Sequence, residues 1–457
     1  MVRSKKFWAN ILPVGFVILL IGVYFLVRIP GFTTNLQGED GDFANIFENQ
    51  PPGPAYLQAG RVLGKALYID PWHPAANYEI LRGAGFLSER IIDFSRLNDF
   101  QRTVALHALF SVFQLVIWLL FILAIFAGGH RWAEANRWVA LAGILVISIT
   151  PMAIENSVAV QIDSTSGVLL VGLASFCLLW HATGALEGLP FYGLLFLTSL
   201  GVGLGKNEWS LLFIVAVLMV SIIRMAQKNY LARAGQPAGD EKWLLLVAVG
   251  GCIAGNGLSY AYDSTNYLAG WGLMLWMSGA VSVVGHLKLA AWLDLTLGRL
   301  PYIVVIFFLL VYTLIRILQD LRTVSLAQLL LFTFAGCLFG AFFFSAQVYG
   351  GVRYFAPALV ASAAAALAVF PRGPNLAHKS WYAIYLLLFL AFDALGYPPF
   401  PPYREIPVTA RPGCIQILAT AQGYHRSNVD YIGDSIGPQQ VQQIVDQYGE
   451  PLCKPLK

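Results

Sequence analysis

The chain concentrates its ionisable residues in a few short stretches. Glu39, Asp40 and Asp42 fall within four residues in "GEDGDF". Glu155, Asn156 and Asp163 lie in "IENSVAVQIDSTSG", Lys206 in "GLGKNEWS", Asp263 in "YDSTNY" and Arg353 in "QVYGGVRYFAP". Two neighbouring acids can supply a general base, because mutual repulsion raises one of the pair toward neutral pH. Two cations can clamp a phosphate and stabilise a leaving negative charge. Each group also has a plainer role. Asp40 and Asp42 can be solvated loop acids, Asp163 precedes an apolar run as a helix cap does, and Lys206 and Arg353 can snorkel from helix ends. The histidines are scattered and form no metal-ligand pattern.

The elements that hold these stretches are apolar. Hydrophobic residues make up 57% of the 457-residue chain and charged residues only 12%. Uncharged runs of about twenty residues, the length of a bilayer crossing, recur along it. The fold class is therefore an all-α polytopic membrane protein. About eleven transmembrane helices are expected near 8–28, 104–127, 137–154, 163–182, 189–204, 208–226, 243–261, 301–318, 325–347, 354–370 and 381–397. The small net charge of +4 gives no reason to expect nucleic acid as a partner.

Lys and Arg mark cytoplasmic loops. Arg3, Lys5 and Lys6 precede the first run; Arg131, Arg137, Arg224, Lys228, Arg233, Lys242, Arg316, Arg322, Arg372 and Lys379 fall in every second loop thereafter except 183–188, which has neither residue type. Residues 29–100 carry nine Asp/Glu against five Lys/Arg, the reverse balance. The N-terminus is expected in the cytoplasm and the C-terminus outside. The transmembrane domain is 1–397, with a large first external loop at 29–103 and an external tail at 398–457. Residues 268–285 are long enough to cross, but a crossing there would invert the later basic loops. We read 263–300 as external re-entrant or interfacial helices, suited by Trp271, Trp276 and Trp292. Cys414 and Cys453 lie in the tail and can form a disulfide if it is outside the cytosol. On this topology all five polar stretches face the external side.

These stretches resemble, in order, the motifs of the GT-C superfamily of integral-membrane glycosyltransferases. "GEDGDF" with "AYLQAGRVLGKALYID" is similar to the Asp-Phe…Ala-Gly…Leu-Gly…Leu-Tyr pattern of polyprenyl-phosphate-mannose-dependent mannosyltransferases. "TPMAIENSVAVQIDSTSGVLLVGLAS" resembles the segment after their third helix. "SLGVGLGKNEWSLLFI" resembles their lysine segment, and "YGGVRYFAPAL" the Gly-Arg-Tyr-x-x-Pro segment of protein-mannosyl and aminoarabinose transferases. "GEDGDF" departs from the family's usual Asp-Glu pair, Lys206 is followed by Asn-Glu, and the tail has no counterpart.

The resemblance implies transfer of a single sugar, with inversion, from a polyprenyl-phosphate donor to a lipid- or protein-linked acceptor hydroxyl on the external side. Asp42 aligns with the family's catalytic acid, with Asp40 as assistant or alternative base. Lys206 and Arg353 would hold the donor phosphate. Glu155, Asn156 and Asp163 would bind hydroxyls, and Tyr349 and Tyr354 would line the lipid or sugar path. No metal site is assigned from the sequence; a divalent metal, Mg or Mn, between Asp40, Asp42 and Asp163 would have only those acids to support it. A bacterial inner membrane is the expected location, since the chain carries no Asn-x-Ser/Thr sequon or retention signal. The competing classes are a transporter or flippase of a lipid-linked or anionic solute, and a structural membrane subunit. Transporters favour internal repeats and midplane charges, whereas these charges gather at one face.

Overall fold

The computed structural model describes residues 2–32, 75–93, 96–97, 99–128, 134–158, 163–233, 242–262, 264, 267–268, 271, 300–321, 323–349 and 355–371. Among them the regular structure is helical. The helices are α1 (Val2–Leu26), α2 (Ile29–Phe32), α3 (Ala75–Glu89), α4 (Asp99–Ala127), α5 (Glu134–Ser148), α6 (Pro151–Val158), α7 (Val168–Ala182) and α8 (Gly188–Gly205). They continue as α9 (Asn207–Arg233), α10 (Lys242–Tyr262), α11 (Leu300–Gln319), α12 (Leu326–Tyr349) and α13 (Phe355–Ala368), and a π turn, Asp163–Gly167, leads into α7. A helix satisfies its own backbone groups, which is why apolar segments that meet lipid adopt it.

Among the described residues, five helices are long and apolar enough to cross a membrane: Val104–Ala127, Ser164–Ala182, Gly188–Gly205, Asn207–Gln227 and Trp243–Tyr262. Shorter apolar helices cover Pro13–Leu26, Val304–Gln319, Leu326–Ala341 and Phe355–Ala368. The span expected at 381–397 lies outside the described residues. The span expected at 137–154 is not one helix, because Asn136–Ser148 and Met152–Val158 meet at 66°. Pro151 has no N–H to continue α5, and it sits at the first position of α6, where none is needed. The Thr150 hydroxyl caps the new helix by accepting from the Ala153 N–H at 2.9 Å.

The chain passes back and forth between two ends of the bundle. α4 and α7 run in the same direction, with Gly172 against Ile117 and Gly128 against Thr183. α7 and α8 are antiparallel, so that His181 stacks on Phe191 at 3.8 Å between centroids. Between them Gly184, at φ 71°, ends α7 in a left-handed turn. The Ala185 and Gly184 N–H groups return to the carbonyls of Trp180 and His181 at 3.0 and 2.8 Å, a Schellman closure that uses glycine's tolerance of positive φ. α8 and α10 are parallel and nearly touch at Gly203, Gly251 and Gly255.

Three hydrogen bonds fix the end opposite Lys206. Gln227 donates to the Leu321 carbonyl at 2.5 Å, Gln328 to Ala368 at 2.7 Å and Asn136 to Pro371 at 3.0 Å. α10 therefore finishes, and α11 starts, at the Lys206 end. The external helices expected at 263–300 lie almost entirely outside the described residues. At the centre stand α7 and α13. Every residue of Phe355–Ala368 is buried, because its alanines let α7, α11 and α12 approach closely.

Candidate functional site at one end of the bundle

Two polar knots occupy the Lys206 end. The first surrounds Arg28, which is fully buried. Its guanidinium lies 3.4 Å from the centroid of the Tyr24 ring. Nε donates to Ser157 Oγ at 2.5 Å, Nη1 to the Tyr24 carbonyl at 2.9 Å, and Nη2 to the carbonyls of Ser148 and Ala153 at 2.8 and 3.2 Å. The last turns of α1 and α5 leave carbonyls without intrahelical partners, and Arg28 fills both sets. The Tyr24 hydroxyl donates to the Ser111 carbonyl at 2.6 Å, and Ser111 Oγ reaches the Ser157 carbonyl at 3.0 Å. One turn earlier on α4, His107 is buried with Nδ1 3.0 Å from the Gly31 carbonyl; Nε2 has no hydrogen-bond partner. A cation is thus enclosed where α1, α4, α5 and α6 converge, directly before the acidic stretch begins.

The second knot surrounds the break between α8 and α9. Lys206 is extended (φ −131°, ψ 141°) and 5% exposed. Its carbonyl accepts the Ser210 N–H at 3.0 Å, which makes it the entry residue of α9. Its Nζ lies 5.9 Å from the Trp209 ring centroid. Asn77 of α3 bridges this break to the π turn: Nδ2 donates to the Gly205 carbonyl and Oδ1 accepts from Ser166 Oγ, both at 2.7 Å. On the other flank Asn256 donates to Ser210 Oγ at 2.6 Å and accepts from the Tyr267 hydroxyl at 3.0 Å. The side-chain oxygen of Asn207 is buried and has no hydrogen-bond partner.

The second knot joins three stretches that the sequence singled out: 154–167 through the π turn, 203–210 through Lys206, and 262–267 through Tyr267. The π turn also packs against α4, α6 and α13, so the start of the fifth stretch's helix stands beside the second. Asn156 is buried on α6 and donates to the Met152 carbonyl at 2.9 Å. Glu155 follows Ile154 in the same helix, Asp163 opens the π turn and Tyr349 ends α12. Asp40, Asp42, Arg353, Tyr354, Cys414 and Cys453 lie outside the described residues. Among the described residues, no three His, Cys, Asp or Glu groups converge as a metal site would require.

Sequence reading missed Arg28, Tyr24, Asn77, Ser166, Ser210 and Asn256. Arg28 had a signal, since a cation ends the first apolar run. Asn77 had none, because its partners are 89 and 128 residues away.

A lysine enclosed at the start of a long helix, beside buried hydroxyl and amide groups, suits an anionic group with hydroxyls attached. No family model matches the chain, and neither a curated protein nor a solved structure is found similar to it.

Proposed function

We propose that this chain is an integral-membrane glycosyltransferase that moves one sugar, with inversion, from a polyprenyl-phosphate donor to an acceptor hydroxyl. The observation that supports this reading is the Asn77 bridge, which gathers the Asp163 turn and the Lys206 break at one end of a membrane-length bundle. A lipid-linked phosphate presents its head group at that depth while its tail stays in the bilayer. Lys206 and Arg353 hold the phosphate. Asp42, or Asp40, takes the acceptor proton as the acceptor oxygen bonds to the anomeric carbon. The bond from that carbon to the phosphate oxygen breaks, and polyprenyl phosphate leaves with its electron pair. Glu155, Asn156 and Asp163 bind hydroxyls, and Tyr349 and Tyr354 line the path. Mg or Mn, held by Asp40, Asp42 and Asp163, would help neutralise the phosphate.

The test gives purified protein in lipid nanodiscs a panel of polyprenyl-phosphate sugars with lipid or peptide acceptors. Asp42→Asn is expected to abolish transfer and keep donor binding. Lys206→Met is expected to weaken donor binding about tenfold or more, the worth of a charge-assisted hydrogen bond. Lys206→Arg should retain part of it. Donor binding without transfer, insensitive to Asp42→Asn, would refute the enzyme. The second reading, a transporter of a lipid-linked solute, draws on the broken α5–α6 pair, since interrupted helices line transport sites. Movement of labelled donor across the bilayer without a new glycosidic bond would favour it.

A further inference from the structure

The helix α3 reverses the usual polarity of a helix docked on a protein. Asn77, Gly85 and Ser88 are buried and Ile80 and Ala84 half-buried, which defines the face turned to the bundle. The opposite stripe, Gly83, Phe86, Leu87, Arg90 and Ile91, follows helical spacing and is exposed. Phe86 is 51%, Leu87 66% and Ile91 85% exposed. A docked helix in water turns its polar side outward. Here the outward stripe is apolar except for Arg90, whose guanidinium lies 4.8 Å from the Phe86 ring centroid.

The position of α3 says what covers that stripe. Asn77 ties its first turn to Gly205, the last residue of a membrane-length helix. It also packs on α10, where Ile253, Leu258, Tyr260 and Tyr262 are exposed. Tyr260, Tyr267 and Trp271 form an edge-to-face row at centroid distances of 5.9 and 6.2 Å, the aromatic character of a membrane boundary. The apolar stripe therefore belongs to a helix docked on two membrane-length helices, α8 and α10. Two residues beyond Ile91 the surface becomes charged, with Asp93 and Arg96 exposed and paired at 2.8 Å.

We propose that α3 lies in the bilayer interface, with Phe86, Leu87 and Ile91 among the acyl chains and Arg90 at the headgroups. This assigns lipid contact to a segment of the first external loop. The proposal rests on the membrane reading alone and is independent of the proposed enzymatic activity. An arginine stem lying on an apolar ring while its head seeks phosphate is how amphipathic interfacial helices are anchored.

The test is spin-label accessibility in nanodiscs of phosphatidylcholine and phosphatidylglycerol. Full-length Leu87→Cys, Ile91→Cys and Arg96→Cys variants are labelled, with the unsubstituted chain as background. Leu218→Cys, on the exposed face of α9, serves as the lipid reference. Probes at 87 and 91 should collide several-fold more with oxygen than with a water-soluble nickel chelate, as at 218, and the probe at 96 should do the reverse. Nickel-dominated collisions at 87 and 91 would overturn the proposal and place the stripe in water. Probes immobile and shielded from both reagents would also overturn it, with a second copy or another part of the chain as the cover. Nickel access at 218 as well would refute the membrane reading itself.

Discussion

Among the described residues no carboxylate meets Arg28, and burial of an uncompensated charge is costly. What compensates it is the set of carbonyls at two helix ends, whose partial negative charge the guanidinium meets in several directions at once. Removing it strands the Tyr24 and Ser148 carbonyls. Each unsatisfied buried group costs about 1–3 kcal/mol, so Arg28→Ala should destabilise the protein by more than about 2 kcal/mol in detergent denaturation followed by tryptophan fluorescence. Arg28→Lys should fall between, since a single ammonium cannot reproduce the fan of donors. Adding Ser157→Ala to Arg28→Ala should cost less than the sum of the two, because the pair shares one bond. Equal stability of all variants would show that the knot holds nothing. Arg28 was visible in the sequence only as the residue closing an apolar run, where a snorkelling cation is the ordinary expectation. Its burial depends on the bend at Thr150–Pro151, which brings α5 and α6 round it from more than a hundred residues away. Lys206 was legible because its neighbours are local: a glycine-rich helix end precedes it and a new helix starts at it.

At the scale of elements, the long apolar helices were legible and the interruptions were not. Thr150–Pro151 spells a helix start, but it sits inside an apolar run that reads as one span. The helix α3 was hidden for the opposite reason: its composition is mixed and its anchor, Asn77, is recognisable only with its distant partners. The parallel pair α8 and α10 shows how small residues decide packing. Glycines four apart allow close backbone approach in membranes, and Gly251 and Gly255 face Phe196, Ser199, Leu200 and Gly203. A methyl at Gly255 would strike the Leu200 carbonyl and lie 3.0 Å from the Gly203 carbonyl carbon, and neither backbone group can yield. Gly250 and Gly257 on the same helix have nothing within 4 Å of the added methyl. Gly255→Ala should therefore lower stability by about 1–3 kcal/mol, as overpacking does. Gly250→Ala and Gly257→Ala should be neutral or stabilise by up to about 1 kcal/mol through helix propensity. Thermal denaturation of the three variants checks this, and equal midpoints would mean that the seam is looser than described.

For the whole molecule, the two ends differ in chemistry. The Lys206 end holds the buried polar knots and the flanks of the acidic stretches. At the opposite end Arg137, Arg224 and Arg316 lie near helix termini, and Arg316 pairs with Asp320 at 3.0 Å. The sequence carried this alternation, since basic residues recur in every second loop except 183–188. It left the parity of residues 263–300 to be argued, because the uncharged stretch 268–285, with Trp271 and Trp276, fits a crossing as well as an interface. Among the described residues the far terminus of α11 meets Gln227, so its start stands at the same end of the bundle as the finish of α10. The basic end is expected in the cytoplasm, because Lys and Arg resist translocation. Asp93→Cys, at the Lys206 end, should then react with an impermeant maleimide on intact cells. Glu187→Cys, in the turn between α7 and α8, should react only after permeabilisation. Labelling of both on intact cells would break the alternation of the bundle. A reversed pattern would keep the alternation and invert the protein. It would place Lys206 on the cytoplasmic side, where a donor carrying its sugar outward could not be used, and the glycosyltransferase reading would fall with it.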